Sequence, residues 1–220
     1  MLHTDVTSEV IVPLYRERSM VGEVHVAMAA FVRRHPGWAV RFVDDGSPDG
    51  TADALRALLA CDDAGGRLTL DALARNVGKA DAVSHGIEGS SAPLVYFMDG
   101  DLAYDPELLV ELERALGQAD IAIGSRGIAD GDRKAGILRR VMGEGYNLLV
   151  RTILGLRFRD TQAGIKGFRL DAARQLFSRS TARLAARSAS SKVRCTRPWL
   201  AISWPAAARR WSGACHVAKL

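Results

Sequence analysis

The sequence predicts an α/β fold, a mostly parallel sheet with helices on both faces. Three observations carry this. Short β-branched or aromatic runs alternate with segments of helical apolar spacing between residues 10 and 123. The strongest of these runs, Leu94-Val95-Tyr96-Phe97-Met98, is apolar throughout, as a buried strand requires. Polar clusters then follow three separate strand ends: Tyr15/Glu17, Asp44/Asp45 and Asp99/Asp101. In open parallel sheets the carboxyl ends of the strands are where ligands bind.

The elements follow in order. Val10-Ile11-Val12 is a short β-branched strand that Pro13 is expected to end. Ser19 is placed to cap a helix carrying Val21, Val24, Met28 and Phe31 on one face, and Pro36-Gly37 stops it. A second strand covers 39–43 and terminates in Asp44-Asp45-Gly46; Asp49 or Thr51 then opens a helix through Leu55, Leu58 and Leu59. Gly65-Gly66 turns the chain into a strand at 68–70. A helix over 79–88 follows the loop Arg75-Asn76-Val77-Gly78. After the strand at 94–98, Asp105-Pro106 supplies a cap and a proline at the first helical position, with Leu108, Leu109, Leu112 and Leu116 facing inward. Ile121-Ala122-Ile123 is a further strand.

With 220 residues, 48% hydrophobic and 25% charged, the chain can bury one large α/β domain with a short appendage. No run of 18 apolar residues suggests a transmembrane helix, and the polar, acidic first nine residues lack the pattern of a signal peptide. The expected location is therefore cytoplasmic, with peripheral contact at the inner face of the membrane. Cys61, Cys195 and Cys215 are odd in number and widely spaced, which argues against a disulfide framework. The net charge of +5 conceals an asymmetry: all 25 acidic residues fall at or before Asp171, whereas ten of the 30 Lys and Arg lie beyond it.

Asp99-Gly100-Asp101 ends a buried strand with two carboxylates one residue apart. They can reach a single hard cation, with Gly100 allowing close approach. Such a cation bridges to a diphosphate and neutralises leaving-group charge. The segment Asp44-Asp45-Gly46-Ser47-Pro48-Asp49-Gly50-Thr51 has two readings that are compatible. Asp49 and Thr51 serve as turn and cap residues, and Asp44 and Asp45 remain for a base or ribose. Asn76-Val77-Gly78-Lys79 offers a backbone nest and a cation at a helix start, suited to phosphate. There is no G-x-G-x-x-G after the first strand and no G-x-x-x-x-G-K-[ST], and the acidic pair follows the second strand, unlike that of a phospho-receiver domain.

In this order, Val10 to Glu17, Val43 to Thr51, Asn76 to Lys79 and Met98 to Pro106 resemble the motifs of family 2 glycosyltransferases of GT-A fold. Gly124-Ser125-Arg126 and Asp160-Thr161-Gln162-Ala163-Gly164-Ile165-Lys166-Gly167-Phe168 resemble the branch that makes polyprenyl- or dolichyl-phosphate sugars, and the match spans about residues 9–177. The resemblance implies an inverting, metal-dependent hexosyltransferase with a UDP- or GDP-sugar donor and a polyprenyl phosphate acceptor. Pro13, Tyr15, Glu17 and Asp44 or Asp45 hold the nucleoside; Asp99 and Asp101 hold Mg²⁺ or Mn²⁺ with the diphosphate. Asn76 and Lys79 belong to the donor site. Arg126, with the Arg133-Lys134 or Arg139-Arg140 pair, meets the acceptor phosphate, and Asp160 and Gln162 line the sugar pocket. A phosphate acceptor is already nucleophilic at neutral pH, so Asp160 is expected to orient rather than to act as an obligatory base.

Residues 137–159 place Leu138, Val141, Met142, Leu148, Leu149, Ile153 and Leu154 at near-helical spacing among arginines. The segment reads either as a basic amphipathic helix on an anionic bilayer or as a core helix with a solvated face. The resemblance fades after Asp171, which divides the chain into a transferase domain at 1–177 and a basic tail at 178–220. The tail, with Trp199, Trp204 and Trp211, reads as an interfacial anchor or as disordered, out-of-frame sequence. The alternatives to the transferase are therefore a truncated, non-catalytic nucleotide-sugar-binding remnant and an enzyme acting on a glycan hydroxyl. Nucleic-acid binding is not expected, because no recognition fold accompanies the tail's charge.

Overall fold

The computed structural model describes residues 6–62, 64–126, 164–185, 199–204 and 216–219. In chain order these form β1 (Ser8–Leu14), α1 (Val21–Arg34), β2 (Trp38–Asp44), α2 (Thr51–Ala60), β3 (Leu68–Ala72), α3 (Lys79–Gly89), β4 (Leu94–Met98), α4 (Leu108–Leu116) and β5 (Ile121–Arg126). Then come β6 (Ile165–Arg169), α5 (Leu170–Ala185), β7 (Trp199–Trp204) and β8 (His216–Lys219). One sheet contains all eight strands, in the order β3-β2-β1-β4-β6-β5-β7-β8. β3, β2, β1 and β4 run parallel; β6 lies antiparallel between β4 and β5, β7 is parallel to β5, and β8 is antiparallel to β7.

The alternation along β1 shows why the central strands are apolar throughout. Val10, Val12 and Leu14 join the core that includes α1 and α4, whereas Ile11 joins Val83 and Ile87 of α3 on the opposite face. A strand covered on both faces has no solvent side on which to place polar residues. The apolar residues foreseen on α1 are all buried, as are Leu109, Leu112 and Leu116 on α4. Leu108 is partly buried.

Three local expectations differ from the structure. Pro13 does not end β1, which continues through Leu14. Pairing with β4 stops at Ile11↔Phe97, whereas pairing with β2 extends to Leu14↔Asp44. Pro13 thus occupies a position where the β4 side needs no ladder donor. Ser19 does not cap α1. The Glu17 carbonyl instead accepts the N–H groups of both Met20 and Val21, and no side-chain cap is made. Asp105 accepts the Glu107 N–H at 2.9 Å, but Pro106 lies in the preceding turn and α4 begins at Leu108.

Glu9 on β1, Arg41 on β2 and Asp71 on β3 form a half-buried ionic row across the sheet. Arg41 Nε lies 3.0 Å from Glu9 Oε1 and Nη1 lies 2.9 Å from Asp71 Oδ2, while Nη2 donates to the Gly89 carbonyl at 3.3 Å. Burial disfavours the guanidinium charge, but the two carboxylates outweigh it and hold Arg41 firmly protonated. Arg41→Met leaves Glu9, itself only 7% exposed, without its partner. We expect a loss of about 3 kcal/mol in urea denaturation, partly recovered when Glu9→Gln is added. Wild-type stability in the single variant would show that the row contributes nothing net.

Candidate active site at the carboxyl edge of the sheet

The parallel run β3-β2-β1-β4 carries the loops after β1, β2, β3 and β4 to the same edge. There they surround an open cleft of about 250 Å³. Pro13, Leu14, Tyr15 and Glu17 come from the end of β1 and its turn, and Asp45 follows β2. Asn76, Gly78 and Lys79 belong to the entry of α3, and Asp99, Gly100 and Asp101 follow β4. The three polar clusters separated by some thirty to fifty positions in sequence therefore meet in one cavity.

The two adjacent acids of the second cluster face different surroundings. Asp44 is 2% exposed and does not line the cleft. Its Oδ2 accepts the Ser47 N–H at 2.9 Å, and Oδ1 is buried with no hydrogen-bond partner. Asp45 lines the cleft but uses both oxygens to hold the loop before α3. Oδ1 accepts the Val77 N–H at 2.7 Å, and Oδ2 accepts the Gly78 N–H at 2.9 Å and the Asn76 amide at 3.0 Å. Asp45 thus occupies the Val77 and Gly78 N–H groups that the sequence offered to phosphate.

Tyr15, which lines the cleft, is 40% exposed, with the Arg16 guanidinium 5.3 Å from its ring centroid. Lys79 Nζ lies 2.6 Å from Asp99 Oδ1. Asp101 is exposed, and its Oδ1 accepts the Ala103 N–H at 3.0 Å.

No cluster of three or more His, Cys, Asp or Glu occurs among the described residues. Two carboxylates alone nevertheless suit Mg²⁺ or Mn²⁺, which commonly takes one or two from protein and the remaining oxygens from substrate phosphate and water. The surroundings also leave room for the carboxylate. A Cβ on Gly164 would stand 2.7 Å from Asp99 Oδ2, and the Gly164 carbonyl accepts the Asp99 N–H at 2.9 Å.

β5 has the same direction as β4, since β6 is antiparallel to both. Arg126, its last residue, therefore ends at the edge that carries Asp99. Asp160, Gln162, Arg133-Lys134, Arg139-Arg140 and the whole of 137–159 lie outside the described residues. Two glycines inside the motif segments were given no role by the sequence. Gly46 and Gly164 look like ordinary turn residues until their neighbours, Arg75 and Asp99, are known.

The sheet order, with its cleft at the carboxyl edge, defines an α/β domain of GT-A type. The comparisons narrow this: the family model "Glycosyl transferase family 2" matches residues 9–177, and the chain belongs to that family. A dodecaprenyl-phosphate galacturonate synthase from Rhizobium johnstonii is 31% identical, with 76% of this chain aligned to 48% of that protein. A dolichyl-phosphate beta-glucosyltransferase from Trichomonas vaginalis is 30% identical over 79% of this chain and 55% of its own. The chain thus spans about half the length of these relatives. Among solved structures, the mannosyltransferase PcManGT from Pyrobaculum calidifontis, in complex with GDP-Man and Mn²⁺, superposes with a TM-score of 0.58. It is 18% identical and covers 77% of this chain and 46% of that one, a likeness of fold.

Proposed function

We propose that the chain is an inverting glycosyltransferase that moves a sugar from a UDP- or GDP-sugar to a polyprenyl phosphate. The convergence of Tyr15, Glu17, Asp45, Asn76, Lys79, Asp99 and Asp101 on one cleft carries this reading. The polyprenyl- and dolichyl-phosphate substrates named in its relatives supply the acceptor class.

In this reading Tyr15 and Glu17 bound the nucleoside, with Pro13 shaping the end of β1. Asp45 keeps the 76–78 loop folded against it, and Asp44, buried beneath, holds the Ser47 N–H. Asp99 and Asp101 provide the carboxylates of a Mg²⁺ or Mn²⁺ site, where the cation's charge would stabilise the departing diphosphate. Lys79, already at Asp99, stands beside the same phosphates. Arg126, at the same edge, is assigned to the acceptor phosphate. Asp160 and Gln162 are assigned to the sugar, because Gly164, two residues beyond Gln162, is bonded to Asp99.

An acceptor phosphate oxygen attacks the anomeric carbon from the face opposite the nucleotide. The bond from that carbon to the donor's phosphate oxygen breaks with inversion, and the nucleoside diphosphate leaves with the electron pair. Since the nucleophile is already anionic, no side chain has to remove a proton.

No helix among the described residues is long and apolar enough to cross a membrane. We place the chain peripherally on an anionic cytoplasmic membrane face, held by the acid-free residues 172–220. We assign residues 1–177 to the transferase unit and 178–220 to a basic segment that adds β7 and β8 to its sheet.

The test is turnover of UDP- and GDP-sugars with polyprenyl phosphate in detergent and Mn²⁺ or Mg²⁺. Lipid-linked sugar formed by one donor supports the reading. Metal-dependent nucleotide binding with no product would identify a donor-binding remnant, and transfer only to a glycan hydroxyl would replace the acceptor.

A further inference from the structure

Three consecutive backbone N–H groups in the turn after β1 are taken up by side chains from the start of α2. Arg16 N–H donates to Ser47 Oγ at 3.0 Å, Glu17 N–H to Thr51 Oγ1 at 3.0 Å and Arg18 N–H to Asp49 Oδ2 at 3.3 Å. Thr51 is fully buried, and its hydroxyl donates to Asp49 Oδ1 at 2.6 Å, which directs an oxygen lone pair toward Glu17. Arg18 Nη1 returns the connection by donating to the Gly50 carbonyl at 2.8 Å.

Capping α2 explains only part of this. A cap needs the bond from the Thr51 N–H to Asp49 Oδ1 at 3.1 Å, but not three bonds to amides 31 to 34 positions upstream. Arg16 also has φ of 59°, a left-handed conformation that residues with a Cβ adopt reluctantly. Such a conformation persists where its surroundings over-determine it, and it clusters at ligand clamps. The residues on either side of it, Tyr15 and Glu17, both line the cleft. The Thr51 hydroxyl bond, with further backbone N–H donors, holds the Asp49 carboxyl below the usual carboxylate range.

We propose that Ser47, Asp49 and Thr51 are positioning residues that lock the 15–18 turn in the shape presenting Tyr15 and Glu17 to the nucleotide, with Thr51 at the centre. The proposal rests on the nucleotide-sugar reading of the cleft. Loss of one member leaves the chemistry at Asp99 and Asp101 in place and lets the turn relax out of its strained conformation, so donor binding suffers first.

Three variants of the full chain test this: Thr51→Val, Thr51→Ser and Ser47→Ala. The readouts are amide hydrogen exchange at residues 16–18, dissociation constants for GDP and UDP with Mn²⁺, and the thermal midpoint. Thr51→Val should speed exchange at Glu17 and weaken binding of whichever nucleotide the wild type takes by about tenfold, the effect of one lost hydrogen bond. Thr51→Ser should restore both, and in turnover the donor KM should rise in Thr51→Val while kcat stays near wild type. Wild-type exchange and affinity in Thr51→Val, or failure of Thr51→Ser to restore them, overturns the clamp. If Thr51→Val does not fold, Ser47→Ala decides the matter through exchange at Arg16. If the wild type binds neither nucleotide, the reading of the cleft fails, while exchange at amides 16–18 still judges the clamp.

Discussion

Asp101→Ala is expected to abolish most of the proposed metal-dependent transfer while leaving the fold intact. The carboxylate is exposed and accepts the Ala103 N–H, so its removal opens no cavity and strands no buried charge. On the proposed reading it removes one of the two carboxylates assigned to the cation. The remaining carboxylate, Asp99, is already shared with Lys79. A loss of about 3 kcal/mol of transition-state stabilisation corresponds to roughly a hundredfold fall in kcat/KM. The comparison is initial rates with Mn²⁺ over a range of concentrations, with the thermal midpoint measured alongside. Undiminished rates at all metal concentrations would move the cation site away from Asp101.

Gly46→Ala is expected to cost more in stability than any other single change near the cleft. Gly46 has φ of +63°, and a Cβ there would stand 2.3 Å from the Arg75 carbonyl carbon and 2.6 Å from both Arg75 Cα and Asn76 N. All three are backbone atoms, so no side-chain rotation relieves the clash. The 75–78 segment has to move away, which breaks the bonds of Asp45 to Asn76, Val77 and Gly78. Left-handed strain of about 1–2 kcal/mol adds to the loss of that packing, for a total of roughly 3 kcal/mol or more. Denaturant unfolding measures the total, and exchange at the Val77 and Gly78 amides locates it. A variant as stable as wild type, with those amides still protected, would show that the loop does not depend on this contact.

Much of the architecture was legible because local pattern and tertiary role coincide. The strand at 94–98 has the same bounds in the structure as in the sequence, since a run of five apolar residues between Pro93 and Asp99 is too short for a buried helix. α3 begins at Lys79 as its pattern indicates. Ile165-Lys166-Gly167-Phe168-Arg169 is different. A glycine and two cations interrupt it, and it becomes β6 only by pairing with Val95, Tyr96 and Phe97 on one side and Ile121 to Ile123 on the other. Its strand character comes from its neighbours, as β-propensity does generally. Likewise Pro13 reads as a terminator and is tolerated because β4 has already parted from β1.

By itself the sequence determined the order of strands and helices from β1 to β5, the two-sided burial of the sheet and the set of acids at the strand ends. Each depends on residue type and spacing within a few positions, and parallel strands carry their carboxyl ends to one edge without further instruction. The tertiary structure alone decided that Asp45 holds the 76–78 loop while Asp44 lies beneath the cleft, that Lys79 meets Asp99, and that Gly46 admits the Arg75 backbone. These are contacts between residues about twenty to thirty positions apart. Their strength depends on ångström-scale distances across packed loops, and no local periodicity encodes such distances.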